Sequence, residues 1–109
     1  MRSTDPATDL SRDSELTPVA GLQDVLAALA DPVRLEMVRR LAATDAPVAC
    51  GALYDNVSKS TASHHFKTLR EAGVIQRLVI GGNTHQRLRT EDVEAAYPGV
   101  LSAIIRAAD

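Results

Sequence analysis

Residues 58–73, Ser-Lys-Ser-Thr-Ala-Ser-His-His-Phe-Lys-Thr-Leu-Arg-Glu-Ala-Gly, constrain the fold of this chain more than any other stretch. At helical spacing Ala62, Phe66 and Leu69 share one face, and Ser60, Ser63, His64 and Lys67 share another. The first face suits a core; the second offers only short hydroxyls, an imidazole and an ammonium. Serines at the start suit an N-cap, and Gly73 suits the stop after Arg70. Alone, such a segment is an amphipathic surface helix. Its neighbours give it a context.

Upstream, residues 48–57 read as a short helix carrying Val48, Ala49, Ala52, Leu53 and Val57, and residues 56–59 read as a turn. A short helix, a tight turn and a polar-faced second helix make a helix-turn-helix. Downstream, residues 74–80 and 84–89 flank Gly81-Gly82-Asn83. Paired glycines and Asn supply the positive φ angles of a hairpin turn. The expected fold class is therefore mainly α (α+β), a winged helix-turn-helix with about five to six helices and one two-stranded β-hairpin wing.

The net charge of −2 hides an uneven distribution. Between Ser58 and Thr90, Lys59, Lys67, Arg70, Arg77, Arg87 and Arg89 face Glu71 alone, a net of +5 that leaves −7 for the remainder. A basic segment on an acidic chain is the footprint of a protein that turns one face to a polyanion. No apolar run approaches the ~20 residues needed to span a bilayer, and the N-terminus lacks the apolar stretch of a secretory signal. The single Cys50 excludes an intramolecular disulfide and fits a reducing cytoplasm. The expectation is a soluble cytoplasmic protein without membrane partners.

Residues 1–17 hold only Leu10 and Leu16 as large apolar side chains and are expected to form a flexible tail before one domain over residues 18–109. Residues 18–30 read as a first helix striped by Val19, Leu22, Leu26 and Leu29 and widened by Val25. Asp31-Pro32 reads as an N-cap and first turn of a second helix reaching about Ala43, with Leu35, Val38, Leu41 and Ala42 inward and Arg34, Arg39 and Arg40 mostly solvated. Thr90 is expected to cap a helix ending near Tyr97, and Pro98-Gly99 to separate it from a last helix whose apolar face is Val100, Leu101, Ile104 and Ile105. So small a domain has no room to bury this face together with the wide one on the first helix. A homodimer through Val19, Leu22, Val25, Leu26, Val100, Leu101, Ile104 and Ile105 resolves the excess.

Leu29-Ala-Asp-Pro-Val-Arg-Leu35 followed by Ser60-Thr-Ala-Ser-His-His-Phe-Lys-Thr-Leu-Arg-Glu-Ala-Gly73 resembles the signature segments of the ArsR/SmtB family, small dimeric winged-helix transcription regulators. The resemblance spans residues 22–89. It implies a first helix at the two-fold axis, a structural role for Arg34 at its corner, and sequence-specific DNA binding, with repression the family habit. The family's metal ligands are a Cys-x-Cys run and an Asp-x-His with a later His-x-x-Glu. Here Val48-Ala-Cys50 supplies one thiol, and residues 91–109 contain no histidine. The usual metal sites are thus not expected, nor is any cofactor or catalytic residue. Cys50 reads as a half-buried helix residue.

A two-fold dimer presents two recognition helices about one DNA turn apart, so the expected partner is double-stranded DNA bearing an inverted repeat. Ser60, Thr61, Ser63 and His64 are placed nearest the bases, and Lys59, Lys67 and Arg70 along the phosphates, with Ser58 at the helix start also counted among the DNA-binding residues. His65 reads as packed or backbone-bonded. In the wing, alternation places His85, Arg87 and Arg89 on one face against Gln86 and Leu88, with Arg77 joining the basic face and Asn83, Thr84 and His85 at the tip. Two alternatives compete. One is a nickel- or zinc-responsive regulator using His64, His65, His85 or Cys50 with nearby carboxylates; the other is a winged helix that binds protein. An effector or partner protein of unspecified kind completes the expected list. A Ser63–His64 enzyme is disfavoured, because no nucleophile, base and orienting group are spaced together.

Overall fold

The computed structural model describes residues 16–109. Their order is α1 (Leu22–Leu29), α2 (Pro32–Ala42), β1 (Val48–Ala49), a 3-10 turn (Cys50–Ala52), α3 (Lys59–Glu71), β2 (Ile75–Ile80), β3 (Asn83–Leu88), α4 (Thr90–Ala96) and α5 (Val100–Ala108). The strands form an antiparallel sheet in the order β1-β3-β2, and the arrangement is a winged helix-turn-helix. Of the expected tail, all but Leu16 and Thr17 lies outside the described residues.

The first helix starts at Leu22, later than the expected Pro18, because the preceding backbone is engaged elsewhere. Ala20 N–H donates to Ala72 O at 3.0 Å, and the Tyr97 hydroxyl donates to Ala20 O at 2.6 Å. Residues 18–20 thus run across the end of α3. There Gly73 sits at φ +79°, and a Cβ on it would lie 2.6 Å from Val19 Cα. Gly73 N–H to Arg70 O at 2.9 Å and Val74 N–H to Leu69 O at 3.1 Å close α3 with a paired Schellman arrangement. At its other end Ser58 Oγ accepts from Thr61 N–H at 3.0 Å. Ala62, Phe66 and Leu69 are buried, as the helical spacing predicts.

Asp31 caps α2, accepting from Val33 N–H at 2.8 Å and Arg34 N–H at 3.0 Å, with Pro32 in the first turn. The buried side chains of α2 are Met37, Val38 and Leu41; Leu35 is only half-buried and Ala42 is exposed. The expected helix over residues 48–57 is reduced to one 3-10 turn. Val48 and Ala49 instead pair with Gln86 and His85 of β3, so the wing is three-stranded rather than two-stranded. β-Branched Val48 suits a strand and Gly51 weakens a helix, which tips the choice. Asn56, at φ 57°, turns the chain into α3.

Gly81 and Gly82 both take positive φ (58° and 82°), as a two-residue hairpin between Ile80 and Asn83 requires. Thr90 does not cap α4: Arg89 occupies the N-cap position and no side chain bonds there. Glu94 caps α5 instead, accepting from Gly99 N–H at 2.7 Å and Ser102 N–H at 3.1 Å, which lowers its pKa. Val25 (0% exposed) and Leu101 (1%) belong to the chain's own core, not to a surface awaiting a second copy. Val25 shares the inward face of α1 with buried Ala28 and Leu29. Leu22 and Leu26 are each 42% exposed; Val19, Val100, Ile104 and Ile105 are half-buried.

Candidate nucleic-acid interface

The polar surface of α3 divides in two. Lys59, Ser63, Lys67 and Arg70 line an open groove between the helix and the wing, whereas Ser60, Thr61 and His64 are exposed outside it. Ser58 stays at the helix start, where its hydroxyl is engaged with Thr61 as a cap. The wing completes the groove with Arg77, Asn83, Thr84, His85 and Gln86. Lys59, Lys67, Arg70 and Arg77 form no ion pair among the described residues, so four cations converge with their charges unspent.

Strand register corrects the expected basic face of the wing. Gln76 pairs with Arg87 and Arg77 pairs with Gln86, and directly opposed residues of an antiparallel ladder share a face. Arg77 therefore projects on the face of buried Gln86 and Leu88, towards α3, and away from His85 and Arg87. Arg87 donates to Gln76 Oε1 from Nε at 3.1 Å and from Nη2 at 2.7 Å, which holds its guanidinium along the strand. Arg89 leaves the basic face altogether. It is 5% exposed, past the end of β3, and its guanidinium binds Asp92 Oδ2 (3.1 Å from Nε, 3.0 Å from Nη2) and Thr17 O (2.5 Å). Strand alternation stops at Leu88, so it does not govern Arg89.

The cations of α2 are likewise held by partners, although Arg39 and Arg40 stay open to solvent. Arg34 Nε donates to Ala28 O at 2.6 Å and its Nη1 lies 3.0 Å from His65 Nδ1, which ties the α1–α2 corner to α3. His65 is accordingly packed, but against a side chain and not against backbone. Arg40 bonds Glu36, Ala52 O and Asp55, and so pins the turn that precedes α3. Arg39 pairs with Glu36 and Asp109.

The histidines do not converge. His64 and His65 rings are 6.2 Å apart, His65 is engaged by Arg34, and His85 Nδ1 donates to Asn83 O at 3.1 Å. Among the described residues no group of three or more His, Cys, Asp or Glu side chains is placed to hold a metal ion. No helix among them is long and apolar enough to cross a membrane. Sequence reading overlooked Gln86 as part of the groove, although its place on the inner side of the alternation, beside Leu88, was the available signal.

A family described as a helix-turn-helix domain matches residues 29–77, which span α2, the turn and α3 and enter the wing. The uncharacterized HTH-type transcriptional regulator YceK of Bacillus subtilis (strain 168) is 34% identical over 82 residues, covering 73% of this chain and 82% of that protein. Among solved structures, the transcriptional repressor BigR from Xylella fastidiosa superposes with a TM-score of 0.60 at 21% identity, over 79% of this chain and 84% of the other. An ArsR-like transcriptional regulator from Rhodococcus sp. RHA1 gives 0.56 at 23% identity, over 81% and 92%. With the helix-turn-helix, the three-stranded wing and the groove between them in place, the chain belongs to the HTH-type transcriptional regulators, and its winged-helix fold is the one shared by BigR and the ArsR-like regulator.

Proposed function

We propose that the chain acts as a homodimeric repressor that lays α3 of each copy into the major groove of an inverted-repeat operator. One observation carries this reading: Lys59, Lys67 and Arg70 on α3 and Arg77 on the wing line a single groove and have no ionic partner among the described residues. Unpaired cations beside a helix of short hydroxyls suit phosphate contact flanking base contact. Ser60, Thr61, Ser63 and His64 meet base edges, and Asn83, Thr84 and His85 reach the backbone beside them. None of these side chains supplies an arginine fork for guanine, so DNA shape contributes to selection. Repression is favoured by the likeness to BigR, which is described as a transcriptional repressor. No metal is assigned to the family sites, since the chain has one cysteine and no histidine beyond His85.

The test is fluorescence anisotropy with a palindromic fragment from the chain's own upstream region, titrated with salt. Lys67→Ala combined with Arg77→Ala is expected to weaken binding at least about tenfold and to flatten the slope of log affinity against log salt by about 2. An unchanged slope would remove the groove from the DNA contact.

A further inference from the structure

Gln86 presents a polar group without a full set of partners. Its side chain is 1% exposed, and Oε1 has no hydrogen-bond partner among the described residues. Nε2 of the same amide lies 3.5 Å from Cys50 Sγ. Turning the amide over exchanges the two atoms and leaves the other one orphaned, so the deficit belongs to the site and not to the assignment. A buried amide left short of a partner is uncommon and asks for an explanation. Cys50, the chain's one thiol, is only half-buried and opens onto the groove of about 910 Å³ that also holds Lys67 and Arg77. That groove leaves room for an added atom on sulfur.

We infer that Cys50 is a peroxide-oxidised switch whose sulfenic acid is held by Gln86. The thiol sulfur attacks one oxygen of hydrogen peroxide, the O–O bond breaks and an S–O bond forms. Sulfur loses two electrons to the peroxide, the departing hydroxide takes up the thiol proton and leaves as water, and Cys50 becomes S–OH. The new hydroxyl donates to Gln86 Oε1 while its oxygen accepts from Nε2, which gives both ends of the amide a partner. With its proton engaged, the sulfenic acid resists further oxidation and stays reducible by thiols. Because Cys50 lines the groove between α3 and the wing, the added oxygen alters the spacing of the two elements that flank it. This last step rests on the DNA-binding reading above; the oxidation itself does not.

The experiment treats the full-length protein with stoichiometric hydrogen peroxide and follows intact mass, dimedone trapping and recovery with dithiothreitol, for wild type, Cys50→Ser and Gln86→Met. Circular dichroism accompanies each variant, and the urea-unfolded wild type supplies the reactivity of an unstructured thiol. The expected result is gain of one oxygen, trapped by dimedone and reversed by dithiothreitol, and a several-fold faster gain of a second oxygen in folded Gln86→Met. Absence of a trappable species in folded wild type, or a Gln86→Met protein that over-oxidises no faster, overturns the inference. If Gln86→Met does not fold, wild type decides alone: the folded chain must over-oxidise several-fold more slowly than the unfolded one. Operator affinity of the oxidised wild type should fall several-fold, with Cys50→Ser unaffected. A protein that binds no DNA even when reduced defeats the DNA-binding reading and leaves the mass and trapping results to judge the oxidation.

Discussion

At the scale of single residues, the contact among Asp31, Arg34 and His65 joins the start of α2 to α3. Arg34 can only donate, so His65 Nδ1 accepts and the ring hydrogen sits on Nε2, which faces Asp31 Oδ2 at 3.9 Å. Burial pushes the Asp31 carboxyl up, but hydrogen bonds from the Arg34 and Val33 backbone, with electrostatic attraction from His65 and Arg34, outweigh it and leave the pKa lowered. Asp31→Ala is therefore expected to cost about 0.5–2 kcal/mol, read from urea unfolding. It should also loosen α3, because His65 loses a neighbour; a fall in stability below that range would show that the cap adds nothing here. The cap itself was legible from Asp31-Pro32, since capping is chemistry between near neighbours. The partner of His65 was not, because Arg34 is 31 positions away and no local pattern encodes that distance.

Elements show the same boundary between local and distant causes. The helical face of Ala62, Phe66 and Leu69, the cap at Ser58 and the stop at Gly73 are all set within α3, and all lie where the spacing put them. Val48 and Ala49 were misread because their strand exists only through Gln86 and His85 of β3. Arg77 was misassigned for a related reason: which face it takes depends on hairpin register, not on its own neighbours. The turn that replaces the expected short helix is held from outside by Arg40, which shares Glu36 with Arg39. Hydrogen bonds from Arg39 and then Arg40 hold the Glu36 carboxyl at about 2, against an ordinary 4.5. The folded-state pKa lies below the unfolded one, so this stabilisation is whole above the ordinary value and drains away as pH falls towards about 2. The Glu36 side chain is 37% exposed, so solvent screening keeps the effect to that of a surface network. Between about pH 5 and about pH 3 the urea midpoint of wild type should fall further than that of Glu36→Gln. Equal falls would show that the fork does not hold the turn.

For the whole molecule, the question is what covers the apolar side chains that one copy leaves outside. Exposed Leu22 and Leu26 lie on α1, and half-buried Val100, Ile104 and Ile105 lie on α5. The Tyr97–Ala20 hydrogen bond ties the segment before α1 to the end of α4, so the two ends of the domain are brought together. A second copy related by a two-fold axis covers such a surface with itself and presents a second α3 on the same side. The buried members of the original stripe, Val25 and Leu101, supply an internal control. Leu22→Glu with Leu26→Glu is expected to halve the mass measured by light scattering while each chain keeps its helical circular dichroism, because exposed sites tolerate a charge. Val25→Glu should instead unfold the chain, since it places a carboxylate in the core. Operator affinity should collapse in the Leu22/Leu26 variant, because each half-site then binds alone and loses the effective concentration that a dimer provides. A doubly substituted protein with unchanged mass would place the dimer contact elsewhere, whereas one that becomes a single chain yet binds the full operator undiminished would show that the two recognition helices do not act together.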